Sequence, residues 1–131
     1  MEEKIGVLVI DDEPSVADAL KLILDDNGYR VGVARNGRDG LALARKLRFE
    51  VTITDLRLPD MSGLDVLNAI LKHDSNSLVI IITAYGTSEA VKQLMGCGAV
   101  AVLPKPFFPA DILRMIDVAL KNGEEKPQKK K

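Results

Sequence analysis

The sequence predicts an α/β domain: a doubly wound (βα)5 sandwich of three layers built on one parallel sheet. Five short β-branched or apolar runs recur about twenty residues apart, and each is followed by a stretch whose apolar residues step at helical spacing. The fourth run, Leu78 to Ile82, is apolar on both faces, as expected of a central strand covered by helices on either side. The length of 131 residues fits one such domain, against a working size of roughly 150 residues per domain. A hydrophobic fraction of 47% supplies the core.

The first strand is read at Gly6 to Ile10, followed by a helix in which Val16, Leu20, Ile23 and Leu24 form one stripe and Asn27-Gly28 a C-cap signal. The second strand, Arg30 to Ala34, precedes a stripe of Leu41, Ala44 and Leu47; the third, Val51 to Thr54, precedes Leu64, Leu67 and Leu71. After the fourth strand, Val91, Leu94 and Met95 mark a helix ending near Gly96. The fifth strand, Ala99 to Leu103, leads into Ile112, Met115, Ile116 and Leu120, with a stop at Asn122-Gly123. All five stripes are read as core. With right-handed crossovers, the common arrangement at this size is the flavodoxin-like strand order 2-1-3-4-5. Residues 1–121 are read as the domain and 122–131 as a polar tail or linker.

Charge and cysteine content narrow the function classes. The net charge is −1, and residues 122–131 carry four lysines against two glutamates, a surplus of two that leaves the body at −3. Such a body does not attract nucleic acid, and a short Lys run without interleaved Arg or aromatic residues is a weak phosphate-backbone signal. Cys97 is the single cysteine, so no disulfide forms within the chain, and the expected location is a reducing cytoplasm. The apolar stretch after Met1-Glu2-Glu3-Lys4 is too short for a signal peptide or a membrane span.

In a doubly wound sheet, ligands bind beyond the carboxyl ends of the strands. There this chain places Asp11-Asp12-Glu13 after strand 1, Asp55 at strand 3, Thr83 at strand 4, and Lys105 after Pro104 at strand 5. Each residue type has an ordinary structural use, since acids cap helices, Thr ends strands and Lys is solvated. Their convergence in the order 2-1-3-4-5 is what points to chemistry. Carboxylates crowded together repel by several kcal/mol at an effective dielectric of about 20, which calls for a counter-cation. All-oxygen ligands favour Mg²⁺ or Mn²⁺, and Mg²⁺ leaves coordination room for a phosphoryl oxygen. Lys105 can neutralise a second phosphoryl oxygen, Thr83 can donate to another, and Asp55 is then the nucleophile.

The segments Val7-Leu8-Val9-Ile10-Asp11-Asp12-Glu13, Thr54-Asp55-Leu-Arg-Leu-Pro59-Asp-Met-Ser-Gly63, Ile-Ile-Ile-Thr83-Ala-Tyr85-Gly and Leu-Pro-Lys105-Pro106-Phe107 resemble those of response-regulator receiver domains, from residue 5 to about 121. The resemblance implies a phospho-accepting domain of two-component signalling that catalyses its own phosphorylation and dephosphorylation and no other reaction. It also implies that Asp12 binds Mg²⁺ directly, Asp11 largely through water, that Asp55 is both phosphorylated and a ligand, and that Arg57 contributes its backbone carbonyl. A cis Lys105-Pro106 bond and a loop shaped by Pro59 and Gly63 follow from the same resemblance. The implied partners are a sensor histidine kinase, an output domain or effector protein, and a second copy through the surface of the fourth helix, fifth strand and fifth helix. Neither membrane contact nor direct nucleic-acid binding is expected. Thr-Ala-Tyr-Gly and Lys-Pro-Phe resemble receivers of enhancer-binding transcription activators. The chain reads as the N-terminal receiver of a longer regulator or as a stand-alone receiver.

A flavodoxin-type electron carrier is disfavoured, since Asp11-Asp12-Glu13-Pro14 would repel a phosphate and aromatic residues make up only 4% of the chain. An aspartyl-phosphate phosphatase needs an acid/base residue where Arg57 stands. A phosphorylation-independent module would not need the full acceptor set. His73, with polar neighbours, is read as a surface residue, and Cys97 as a small inert one. Arg57 and Tyr85 are expected to crowd an attacking water and slow hydrolysis of the phosphoryl group. One departure from the family stands out: three residues before Lys105, many receivers carry Tyr or Phe, and this chain has Val102. Its output is therefore expected through the segment 84–87 and the fourth helix, with Tyr85 as the mobile aromatic.

Overall fold

The computed structural model describes residues 4–84 and 86–125, with side chains given as far as residue 122. Five strands alternate with five helices: β1 (Gly6–Ile10), α1 (Pro14–Asp26), β2 (Arg30–Ala34), α2 (Gly37–Lys46), β3 (Val51–Asp55), α3 (Gly63–His73), β4 (Leu78–Thr83), α4 (Ser88–Gly96), β5 (Ala101–Pro104) and α5 (Pro109–Glu125). All strand pairs are parallel and the order is β2-β1-β3-β4-β5, as expected from the sequence.

Alternation along the strands divides the core in two. Val7, Val9, Val51, Ile53, Ile80 and Ile82 pack on one face against Leu20 and Leu24 of α1 and Ile112 and Ile116 of α5. Leu8, Ile10, Val79 and Ile81 face the other way, against Val66, Leu67 and Ile70 of α3 and Leu94 of α4. Successive side chains in a strand point to opposite faces, so strands apolar at every position are covered on both.

Helix ends follow local chemistry. α1 and α4 both close with a glycine at positive φ, Gly28 at 88° and Gly98 at 112°. Gly28 N donates to Asp25 O and Tyr29 N to Leu24 O; Gly98 N donates to Met95 O and Ala99 N to Leu94 O. Both pairs satisfy the last helical carbonyls in the Schellman pattern. That pattern corrects the start of the fifth strand. Ala99 belongs to the turn that closes α4, and β5 begins at Ala101.

Three further expectations change. Leu47 is 48% exposed because it is the C-cap of α2, already turned out of the helical stripe, and Met95 is 44% exposed on the outer side of α4. α5 runs to Glu125 and does not stop at Asn122-Gly123, since a glycine inside a helix costs only about 1 kcal/mol and Glu124 and Glu125 are helix formers. The helix thus crosses the expected boundary between 121 and 122. The rest of the expected tail, 126–131, lies outside the described residues, as does Tyr85.

Candidate functional site: an acidic pocket at the carboxyl edge of the sheet

The strand register brings four ends level. Ile10 pairs with Thr54, Asp55 with Ile82, and Thr83 with Pro104. Asp11 therefore follows β1 beside Asp55, the last residue of β3, with Thr83 and Lys105 next along the edge. Asp11, Asp55 and Thr83 are buried, while Asp12 is exposed. One carboxylate oxygen from each of Asp11, Asp12 and Asp55 lies within 4.8 Å of the other two. At that separation each pair of charges repels by about 3–4 kcal/mol at an effective dielectric of about 20.

Lys105 supplies the compensating charge. Its Nζ lies 3.0 Å from Asp55 Oδ2, 3.3 Å from Asp11 Oδ2 and 2.6 Å from Glu13 Oε1. The main chain aims it there: Lys105 N donates to Thr83 O at 2.8 Å, and the Lys105-Pro106 peptide bond is cis, as the family resemblance implies. Burial alone would lower the Lys105 pKa. Hydrogen bonds to Glu13 and Asp55, with the attraction of Asp11 and Asp55, outweigh it and hold the ammonium above its ordinary value. Asp11 shifts upward as well, because burial raises its carboxyl more than the Glu13 N–H bond and the Lys105 charge lower it, and Asp55 adds repulsion.

The pocket fits a small divalent cation. Asp11 Oδ1 accepts from Glu13 N at 2.9 Å, but Oδ2 is fully buried with no hydrogen-bond partner among the described residues, only the Lys105 charge nearby. A buried carboxylate oxygen left without a donor, beside two further carboxylates, suits a hard cation with oxygen ligands.

Arg57 is exposed at the rim, and its backbone N–H donates to Asp55 Oδ1 at 3.1 Å. Thr54 Oγ1 donates to Asp55 O at 3.0 Å. Gly63 permits the close start of α3, since a Cβ there would lie 2.6 Å from Asp55 O and 2.8 Å from Leu56 Cα. All six expected site residues thus gather at one edge. His73 is exposed at the far end of α3, and Cys97 is exposed after α4. Sequence reasoning placed Glu13 at the strand end but gave it no partner, because its pairing with Lys105 depends on a contact 92 residues away.

Comparison with known proteins agrees with this geometry. The family model described as "Response regulator receiver domain" matches residues 7–117. A response regulator receiver protein of Anaeromyxobacter sp. is 39% identical over 106 residues, covering 81% of this chain and 44% of that protein. The DNA-binding response regulator MtrA of Mycolicibacterium smegmatis is 32% identical over 121 residues, covering 92% and 53%. The chain thus spans about half the length of these curated relatives. Among solved structures, a CheY-like receiver domain protein from Methanospirillum hungatei superposes with a TM-score of 0.90 at 31% identity, covering 95% of this chain and 99% of that one. The beryllofluoride-activated NtrC4 receiver domain dimer gives 0.85 at 31% identity, covering 90% and 98%.

The chain belongs to the response regulator receiver domain family. It is a phospho-accepting receiver of two-component signalling, a signalling phospho-acceptor and not a conventional enzyme.

Proposed function

We propose that Asp55 accepts a phosphoryl group from a sensor histidine kinase, with Mg²⁺ (or Mn²⁺) held by Asp11, Asp12, Asp55 and the Arg57 carbonyl. The observation that carries this reading is the placement of Lys105 Nζ 3.0 Å from Asp55 Oδ2 within the three-carboxylate cluster. When bound, the cation neutralises charge on the carboxylates and on a phosphoryl oxygen. Asp55 attacks phosphorus with one carboxylate oxygen, the bond from phosphorus to the donor imidazole breaks, and its electron pair leaves with the donor. Lys105 is already within reach of the oxygens that gain charge, and Thr83, at the end of β4, offers a hydroxyl to another. Burial of Asp11 and Asp55 keeps these interactions strong by limiting water.

A groove of about 540 Å³ opens beside Lys105, lined by Val16, Ala19 and Ile23 of α1 with Pro106 and Phe107; it offers the phosphodonor an apolar seat next to the acceptor. A homodimer through α4, β5 and α5 is supported by a second groove of about 740 Å³ along β5 and α5, near the half-exposed Val118. An output domain beyond this segment, of the DNA-binding kind named for MtrA, and a cytoplasmic location where ATP-fed kinases act complete the proposal. Among the described residues, no helix is long and apolar enough to cross a membrane.

The test is incubation with acetyl phosphate, with and without Mg²⁺, followed by intact-mass spectrometry. The expected result is one phosphoryl adduct that needs the metal and is released by acid, by base and by hydroxylamine, as an acyl phosphate is. An equal yield in EDTA would contradict the metal assignment.

A further inference from the structure

The loop between Asp55 and α3 folds back on itself. Arg57 and Ser62 form an antiparallel bridge, Leu58 N donates to Met61 O at 3.3 Å, and Gly63 N donates to Leu56 O at 2.6 Å. The tip of this fold reaches a different element. Asp60 Oδ1 accepts from Gly37 N at 2.8 Å and Asp60 Oδ2 from Arg38 N at 2.9 Å, so one carboxylate takes the first two amides of α2. α2 already has a local cap, because the Asn36 side chain accepts from Asp39 N at 2.8 Å. Met61 covers the same helix start so closely that a Cβ on Gly37 would run into its Cγ. The bonds from Arg38 and Gly37 hold the Asp60 carboxyl below the usual carboxylate range. Two independent contacts, one polar and one apolar, therefore tie the loop tip to α2.

We infer that Asp60 is a positioning residue for the acceptor site: by anchoring the loop tip to the start of α2, it holds the Arg57 backbone against Asp55 and keeps the cation pocket formed. This rests on the reading above, in which Asp55 and the Arg57 carbonyl bind the metal. Asn36 caps only Asp39 N, so Asp60 satisfies the two amides left open at the start of α2, and the same two bonds fix the loop tip. The loop gains a fixed end that its internal bonds do not provide. Groups hydrogen-bonded directly to metal ligands change metal affinity by about 10–100-fold when removed, and Asp60, which acts through the loop, is assigned the low end of that range.

The test compares Asp60→Ala with Asn36→Ala, which removes the local cap and leaves the loop tip attached. Mg²⁺ affinity is read by titration calorimetry, and acetyl-phosphate phosphorylation is followed against Mg²⁺ concentration. Asp60→Ala should raise the Mg²⁺ Kd about tenfold and slow phosphorylation at low Mg²⁺, with most of the rate returning at saturation. Asn36→Ala should leave the Kd within about twofold of the parent, and Asp60→Asn, which keeps one acceptor oxygen, should recover most of the affinity. Should Asp60→Ala not fold, Asp60→Ser, whose side chain is too short to reach both amides, carries the same expectation. Equal Kd values for the parent and Asp60→Ala, or for the parent and Asp60→Ser, would overturn the inference, as would equal losses in Asp60→Ala and Asn36→Ala. A parent protein that itself bound no Mg²⁺ would instead refute the reading on which the inference rests.

Discussion

Lys105 and Asp55 lie 50 residues apart in the chain and 3.0 Å apart in space, and the same ammonium reaches Glu13 at 2.6 Å. One cation thus holds together an edge of the sheet that its carboxylates would otherwise push open. Because Lys105 is mostly buried, removing it leaves Asp11 and Asp55 uncompensated.

Lys105→Ala is therefore expected to destabilise the fold at pH 7 in EDTA by on the order of 2–3 kcal/mol, read from urea unfolding. The sign follows from linkage. A lysine whose pKa is raised in the folded state contributes stability that is fully present below its ordinary value of 10.5, and the contribution is lost only as pH rises through the still higher folded value. The loss in Lys105→Ala should therefore be undiminished from pH 6 to pH 9. A variant as stable as the parent would show that the ion pairs are idle.

Asp11 should behave in the opposite sense. Its folded pKa is raised above 3.8, chiefly by burial, so its effect on stability is favourable below 3.8 and becomes a cost as pH rises through the folded value. Asp11→Asn is expected to be more stable than the parent at pH 7 in EDTA, by on the order of 1 kcal/mol, with the two converging near pH 3. In the parent, Mg²⁺ at ten times its Kd should add about 1.4 kcal/mol, roughly 5 °C in Tm, and Asp11→Asn should lose most of that gain. Identical melting of the parent in Mg²⁺ and in EDTA would count against a cation in the pocket.

The position three before Lys105 bears on the switch. Val102 is half-buried against the core beneath α3 and α4, pairs with Ile81 in the sheet, and has a single stiff χ1. It cannot transmit movement of Thr83 the way a swinging ring could. Beryllofluoride is therefore expected to shift amide resonances of 83–87 and α4 more than those of β5 and α5. Shifts concentrated in α5, with 83–87 unmoved, would rule this route out.

How much of this was legible beforehand differs by residue. Strand spacing and the polar residues closing each strand lead directly to Asp11, Asp12, Asp55, Thr83 and Lys105, because a parallel sheet turns sequence order into spatial order once its topology is chosen. Leu47 was misread as core because helical spacing cannot tell where a helix stops turning, and Met95 because it follows Leu94 directly, and adjacent residues on a helix point about 100° apart, so only Leu94 faces the sheet. Gly98, two residues past the apparent stop at Gly96, carries the positive φ that ends α4. Glu13 and Asp60 were beyond reach for a different reason. Their partners, Lys105 and the amides of residues 37 and 38, meet them only through folded loops, and no periodicity records such a contact.

The central claim is that Asp55 is the atom-level acceptor, and the most direct test is phosphoryl incorporation into Asp55→Asn. The amide lacks the anionic oxygen that attacks phosphorus, yet it keeps the shape of the pocket. With acetyl phosphate and Mg²⁺, intact-mass and peptide-level spectrometry should find the phosphoryl group on Asp55 in the parent and none in the variant. Unchanged incorporation into Asp55→Asn, or a parent adduct mapped to another residue, would contradict the account.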